Sequence, residues 1–414
     1  MSISPAIASW QAALATQPQE AARQSAFQSF LARGLPTQRD DAWKYTDLRR
    51  IASRAYQLPT PSLEADGTAP LLQGENWHRI VFVDGQLSRD LSTQRSIPGL
   101  SIANVFTDDH LKQTPSSFEL LNTALGNGTL IEVAANTILE HPIYVAHVWS
   151  TKADGWMRHP RTVLRAATNS RVTLIEHFTS ASQANNFCNA VTLVDAGDDS
   201  QVTHVTLQED SETNFHIASL QATLARSSHY AHHHYVLGGS LSRTDISIRL
   251  QGAYANAELC GLIFARNTQH IDVRTCIEHQ VPNTKSNEDY RGIADGRGRA
   301  IFNGKVIVSK DAQKTDARQS SRNLLLSSTA EIDTRPELEI YADDVKCAHG
   351  ATVGQLDAAA LFYLRSRGID TDAARALLTQ AFAAVLLERA PVESLRERVN
   401  DAIATRLHAQ KVVV

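Results

Sequence analysis

The pattern of hydrophobic and polar positions divides the chain into three regions. Near the N-terminus apolar side chains recur at helical spacing from Ala22 to Leu31, and Gly34 ends that pattern. A long middle region alternates short β-branched stretches with polar residues, which favours β-strands. The last part, rich in Ala, Leu and Arg, returns to helical spacing. We therefore predict three regions: helices and a proline-containing connector (57–76) over 1–76, a β core over 77–354, and helices over 355–414.

The middle region contains many short predicted strands. Their joints are mostly Ser, Asn, Thr and Gln, and residues 161–281 contain no proline. Turns of the Asn-Gly or Asp-Gly kind, which join hairpins, scarcely occur there. This texture is typical of a solenoid whose coils pair with the coils before and after them, but without a strict period a sandwich or jelly roll stays open. The predicted strands include Arg79–Gln86, Arg171–Phe178, Ala190–Asp195, Gln201–Leu207, Ile217–Leu224, Thr244–Leu250, Glu258–Phe264, Ile271–Glu278, Ala300–Val308 and Glu337–Tyr341.

Two apolar stripes mark the C-terminal helices. One runs from Ala374 to Leu386 and includes Leu377 and Val385, and the other runs from Leu395 to Leu407. Two lone helices cannot bury this much apolar surface against each other. We expect the stripes to pack on the β core, on another chain, or on both.

Composition narrows the class of protein. The chain of 414 residues has 40 Lys and Arg against 44 Asp and Glu, a net charge of −4, which argues against nucleic acid as the main partner. No apolar run approaches the ~18 residues of a membrane span, and no secretory signal is evident at the N-terminus. The 4 cysteines include no C-x-x-C pair, which excludes a disulfide scaffold. We expect a cytoplasmic protein that binds neither membrane nor nucleic acid.

Several catalytic motifs are missing from the sequence. No P-loop, no G-x-S-x-G elbow and no H-E-x-x-H helix is present. The glycines at 292, 296 and 298 do not follow the Rossmann pattern and indicate a turn. We therefore predict that the chain does not hold nucleotide phosphates in the P-loop manner.

The run from His232 to His234 could form a strand. His232 and His234 would then share one face, where two imidazoles can approach one metal, and His233 would lie on the other. No acidic residue or cysteine nearby completes such a site, so a solvated or hydrogen-bonded strand face is the alternative. The cysteines at 188, 260 and 276 stand among apolar residues and are interpreted as small buried side chains.

A stronger candidate site closes the β region. On a strand, Cys347 and His349 point to the same face, with Cα atoms about 6.6 Å apart. A thiolate and an imidazole can then bind one soft or borderline metal, iron included, and a nearby Lys346 would favour the thiolate. Two ligands do not close a tetrahedral site, so the others must come from elsewhere in this chain or from another chain. An inert strand end is the alternative.

The same segment resembles a known family. The following sequences are similar to the shared core of the SufB/SufD proteins of iron–sulfur cluster assembly: Gly304-Lys305-Val306, the segment 311–320, and Asn323-Leu324-Leu325-Leu326-Ser327. The segments 334–340 and 344–352, together with Trp43-Lys44-Tyr45-Thr46, resemble the SufD branch more than the SufB branch. The sulfur-accepting cysteine motif of SufB has no counterpart in this chain.

This resemblance implies a fold and a function. The fold is a mostly β, right-handed parallel β-helix flanked by N-terminal and C-terminal α-helical regions. The function is that of a scaffold subunit that is not an enzyme and has no ATPase activity. It pairs with SufB through the β-helices and holds the ATPase SufC through the helices over 355–414. A cysteine desulfurase system supplies sulfur indirectly. A purely structural partner of SufB and a β-helix enzyme acting on polysaccharides are the other functional classes.

The resemblance also assigns the site. Cys347 and His349 occupy the SufD side of a nascent cluster site that SufB completes, so the bound group is a transient iron–sulfur cluster. We expect the isolated chain to hold no cofactor. Since uncovered strand edges tend to pair with copies of themselves, we also expect the isolated chain to be a homodimer.

Overall fold

The computed structural model describes residues 4–59, 71–93, 96–105 and 115–408. Residues 60–70 of the predicted connector lie outside this part of the chain. The helices described are α1 (Pro5–Ala15), α2 (Ala21–Arg33), α3 (Arg49–Ala52), α4 (Ser117–Leu125), α5 (Ala358–Ser366), α6 (Thr371–Leu387) and α7 (Glu393–His408), with a 3₁₀ turn at Asp41–Trp43. In the part of the chain described, no helix combines the length and apolar character needed to cross a membrane.

The strands form the centre of the molecule. They are β1 (His78–Val83), β2 (Gln86–Leu87), β3 (Leu100–Val105), β4 (Asn127–Val133), β5 (Ile143–Trp149), β6 (Met157–Arg158), β7 (Pro160–Ala166), β8 (Arg171–Ser180), β9 (Phe187–Ala196), β10 (Gln201–Glu209), β11 (Phe215–Leu224), β12 (His229–Val236), β13 (Leu241–Leu250), β14 (Asn256–Ala265), β15 (His270–His279), β16 (Lys285–Ala294), β17 (Arg299–Val308), β18 (Asp316–Leu325), β19 (Glu331–Ile340) and β20 (Lys346–Gln355).

The strands wind into a parallel β-solenoid of about 8 turns. Each complete coil gives one strand to each of two facing sheets, so β7 and β8 form one coil and β19 and β20 form the last. The first sheet runs β2-β1-β5-β8-β10-β12-β14-β16-β18-β20, and the second runs β19-β17-β15-β13-β11-β9-β7-β4-β3. The predicted parallel β-helix with helices at both ends is confirmed.

Successive coils pair residue by residue, in a continuous register. Along one edge of the second sheet, Phe187, Phe215, Leu241, His270, Arg299 and Glu331 pair in succession, at separations of 28, 26, 29, 29 and 32 residues. The repeat is therefore real but uneven, which is why the sequence shows no strict period.

Polar residues in a left-handed backbone conformation form the corners between the sheets. Positive φ angles occur at Asn169 (55°), Asp199 (57°), Ser227 (54°) and Asn267 (55°), each between a strand of one sheet and the next strand of the other. Asn and Asp tolerate this conformation better than most residues. The polar joints of the sequence are thus the corners of the coils.

Helices cover the outer faces of both sheets. The N-terminal helices pack on the second sheet, where Trp10, Phe27 and Phe30 share a buried cluster with Phe187 and Phe215. Helices α6 and α7 pack on the first sheet, and Leu386, Leu387, Leu395, Val399 and Ile403 are buried there with strand residues. The C-terminal stripes therefore pack, at least in part, on the β core.

Most predicted strands fall within observed ones, with their ends extended by a few residues. The segment Glu337–Tyr341 covers only the end of β19 and passes beyond it at Tyr341. Strands β16 and β18 escaped prediction because their inward positions carry polar residues, including Glu288 and Gln319, which break the expected alternation.

Candidate functional site

The last coil ends in two bare strand edges. β19 and β20 are the terminal strands of their sheets, and in the described residues neither has a partner on its outer side. At the opposite end the short antiparallel pairings of β2 with β1 and of β3 with β4 interrupt the parallel stack. A bare strand presents a row of unpaired N–H and C=O groups, and such groups can pair with an added strand.

Cys347 and His349 both lie on β20, at this bare edge. Their neighbours in register on β18 are Ala317 and Gln319, which are buried at 1% and 4% exposure. Both side chains therefore belong to the inward face of the coil, as the alternation rule predicts. They are the last members of two inward rows that run the length of the first sheet.

The Cys347 thiol is half-buried and packs against the core between the sheets. Burial raises the pKa of this thiol, the nearby Asp316 carboxylate raises it further, and a backbone hydrogen bond to Ala317 opposes the shift. The thiolate that Lys346 was expected to favour is therefore disfavoured in the isolated chain. A positive metal ion would reverse this balance, because a coordinating thiol loses its proton.

His349 is exposed, and a buried polar row lies behind it. Register places Gln319 next to His349, and Glu288 next to Gln319. The side-chain amide of Gln319 donates a hydrogen bond of 2.6 Å to the Glu288 carboxylate. Burial raises the pKa of Glu288 to about 7.

Gly304 on the facing sheet leaves room for this pair. A Cβ atom at Gly304 would lie 1.9 Å from Nε2 of Gln319 and 3.1 Å from Oε2 of Glu288. Any larger residue would force the amide or the backbone to move. Packing close to the candidate site thus explains why the Gly304-Lys305-Val306 sequence has a glycine at position 304.

The described residues do not assemble a complete metal site. No group of three or more His, Cys, Asp or Glu side chains among them could hold a metal ion. The bare edge offers one imidazole and one thiol on a single face, which suits iron better than a hard cation. Further ligands from a neighbouring chain could reach this edge directly, because nothing in the described chain covers it.

The histidine run lies on β12 and divides between faces as predicted. His232 and His234 point into the solenoid, where their rings stack with centroids 5.4 Å apart, and His204 stacks on His232 at 4.8 Å. Burial is the main reason that the pKa of His234 falls to about 3. His232 and His234 are therefore buried and neutral, so their face of the strand is not solvated. The hydrogen-bonded alternative holds in part, because Oγ1 of Thr206 lies 3.2 Å from Nε2 of His232.

The other cysteines are mostly interior. Cys188 and Cys260 are buried, as predicted, whereas Cys276 is only half-buried. The Cys260 sulfur lies 3.1 Å from Nδ1 of His233, and burial raises the pKa of its thiol to about 12. Cys260 is therefore an unreactive thiol at neutral pH.

An outward apolar face remains on helices α5 and α6. Phe362 and Tyr363 on α5 are 72% and 57% exposed, and Leu377 and Val385 on α6 are each 48% exposed. Leu377 and Val385 belong to the stripe predicted from sequence, whose other members Ala374 and Leu386 are buried. The stripe is therefore split between the β core and the outside.

Sequence reasoning missed Glu288 and Gln319. They lie 31 residues apart, and Gln319 and His349 lie 30 residues apart, so one coil separates each neighbour from the next. Aligning the uneven repeats on their corner residues would have placed all three in one inward row.

The fold and the bare edge define a class: a parallel β-solenoid that carries one imidazole and one thiol on the inward face of its open end. The family model of the SufBD core domain, described as iron–sulfur cluster assembly of the SUF system, matches residues 148–382. The SufBD N-terminal region model matches residues 11–69.

Relatives of known family belong to the same family as these two models. The chain is 31% identical over 392 residues to the iron–sulfur cluster assembly protein SufD of Escherichia coli, covering 93% of this chain and 92% of that protein. It is 32% identical to a SufBD family protein of Synechocystis, covering 90% of this chain and 87% of that protein. SufD of Bacillus subtilis is 26% identical, with 74% of this chain and 70% of that protein covered. The chain belongs to the SufBD family of iron–sulfur cluster assembly proteins.

Proposed function

We propose that this chain is a non-enzymatic SufD-type scaffold subunit of a SufBCD complex in the cytoplasm. It pairs with SufB and SufC and contributes Cys347 and His349 to a nascent cluster site at the SufB interface. The observation that carries the proposal is the position of these two residues on the uncovered last strand of the solenoid. A transient iron–sulfur cluster is cargo at this site.

The bare edges support the pairing with SufB. A second β-solenoid that adds its own last strands to β19 and β20 would continue both sheets across the interface. The same addition would bring side chains of SufB to Cys347 and His349 and complete their ligand set.

The outward face of α5 and α6 supports the contact with SufC. Phe362, Tyr363, Leu377 and Val385 form an apolar surface that the rest of the described chain leaves uncovered.

Cluster assembly by a reconstituted complex tests the proposal. The variant His349→Ala, co-expressed with SufB and SufC, should copurify normally and give a several-fold lower cluster yield, measured by visible absorbance and iron content. Cys347→Ala should act in the same direction and less strongly, because imidazole is the ligand that the exposed position favours.

The matched control is His141→Ala, an exposed histidine far from the last coil. Normal cluster yield from the double variant at 347 and 349 would overturn the ligand assignment and leave a structural partner. Loss of the circular dichroism signal in that variant would show that the pair stabilises the fold.

A further inference from the structure

Gln319 carries a hydrogen-bond acceptor with no partner. Its Nε2 donates to Glu288, whereas its Oε1 is buried and has no hydrogen bond in the described part of the protein. A buried acceptor without a partner is unfavourable, so such an oxygen is normally satisfied in the working state of a protein.

The next side chain in the row is His349. The two residues are direct neighbours in register on adjacent parallel strands, which lie about 4.8 Å apart. A neutral imidazole has one N–H donor and one acceptor nitrogen. No hydrogen bond to the His349 ring is present within residues 115–408, so both its nitrogens are open to a new partner.

We infer that Gln319 is a positioning residue for His349: its carbonyl oxygen accepts the N–H of one ring nitrogen and leaves the other nitrogen free to bind metal. The identity of the metal group rests on the proposed function. The hydrogen bond itself does not, since it requires only the two side chains.

Glu288 fixes the direction of the amide. An amide group can turn over and exchange its donor and acceptor. When ionised, the Glu288 carboxylate accepts from Nε2 and so holds Oε1 away from itself, while Gly304 provides the space for this arrangement. The row Glu288, Gln319, His349 resembles the outer-shell partners that set the tautomer of metal-binding histidines in other proteins.

Nitrogen-15 NMR of histidine-labelled apo protein tests this inference without any metal. The signals of His349 are assigned by their loss in His349→Gln. We expect about a five-fold excess of one tautomer, as a hydrogen bond of ordinary net strength would give. Gln319→Leu should reduce the excess to that of an exposed histidine such as His141.

Two further variants distinguish the positioning of His349 by Gln319 from a general disturbance of the fold. Asn323→Leu removes another buried amide of β18, which donates to Ser321 and to the Thr352 carbonyl, and should leave the His349 tautomer unchanged. The exchanged pair Glu288→Gln with Gln319→Glu places a carboxylate acceptor beside His349 and should restore the excess.

The same ratio of His349 tautomers in the unaltered chain and in Gln319→Leu would overturn the inference, even if His349 proves essential for cluster assembly. A tautomer excess that depends on Gln319, together with full cluster yield from His349→Ala, would support the hydrogen bond and defeat the proposed ligand role instead.

Discussion

The Arg243 guanidinium lies 3.8 Å from the centroid of the Trp43 ring. The same guanidinium contacts Asp272 at 2.5 Å, and Asp272 also accepts a hydrogen bond of 2.5 Å from Thr46. The Trp43-Lys44-Tyr45-Thr46 sequence therefore contacts β13 through Trp43 and Arg243, and β15 through Thr46 and Asp272.

Arg243→Met should weaken the contact between the N-terminal region and strands β13 and β15 and lower the stability of the protein. Arg243 is 1% exposed, and its removal leaves the buried Asp272 carboxylate without its cation, a change that typically costs 3–5 kcal/mol. Urea unfolding should show the loss, and limited proteolysis should cut the N-terminal region faster. The comparison is Arg226→Met, whose ion pair with Asp199 is about half exposed, so that its loss should lower stability far less.

Val353→Lys should convert the isolated chain from dimer to monomer. Val353 lies on the bare strand β20 and is 45% exposed, and a charge there opposes the pairing of two copies. Light scattering at micromolar concentration measures the change. Ile138→Lys, at an exposed apolar site of the first coil, should leave the dimer intact, and a monomeric unaltered chain would contradict the prediction.

Leu377→Asp combined with Val385→Asp should release SufC. Both side chains lie on the uncovered side of α6, so a carboxylate there disrupts an apolar contact without entering the core. Copurification of tagged SufC should fall at least ten-fold while the helical signal is retained. Leu87→Asp, which alters an equally exposed leucine at the first coil, is the control, and full SufC binding by the double variant would place the dock elsewhere.

Glu288→Gln should stabilise the protein more at pH 8 than at pH 5. The pKa of Glu288 is about 7 in the folded chain, against an ordinary value of 4.5, so the folded state retains a proton that the unfolded state has lost. Stability therefore falls as the pH rises from about 4.5 to 7 and stays lower above that range. The variant removes this penalty.

The gain at pH 8 has an upper limit of roughly 3 kcal/mol, because one pKa unit corresponds to about 1.4 kcal/mol. Urea unfolding at both pH values measures it. Glu132→Gln, which changes an exposed carboxylate, should show no such difference. If Glu288→Gln changes the free energy of unfolding by the same amount at pH 5 and at pH 8, the assigned pKa is wrong.

The sequence predicted the architecture well because strand texture and corner composition survive an uneven repeat. Polar joints such as the one around Asn169 signalled the corners, and the placement of Cys347 and His349 on one strand face followed from simple alternation. The residues behind them were missed, because Gln319 and Glu288 become neighbours of the site only through register between coils, which alternation along a single strand does not reveal. The burial of His232 and His234 was missed for a related reason: imidazoles stacked on one another inside a solenoid look like a polar strand in sequence.

The arrangement of the coils also bears on how the protein is made. Each complete coil pairs only with the coils before and after it, and the interrupted end of the stack precedes the bare end along the chain. As the polypeptide leaves the ribosome, every new coil of about 29 residues finds a finished edge on which to form, within a few seconds of its synthesis. Each growing edge is covered by the next coil, until β20, the last strand in the described part of the chain, is released. The bare edge is thus the last part of the solenoid to be made, after its supporting coils have emerged.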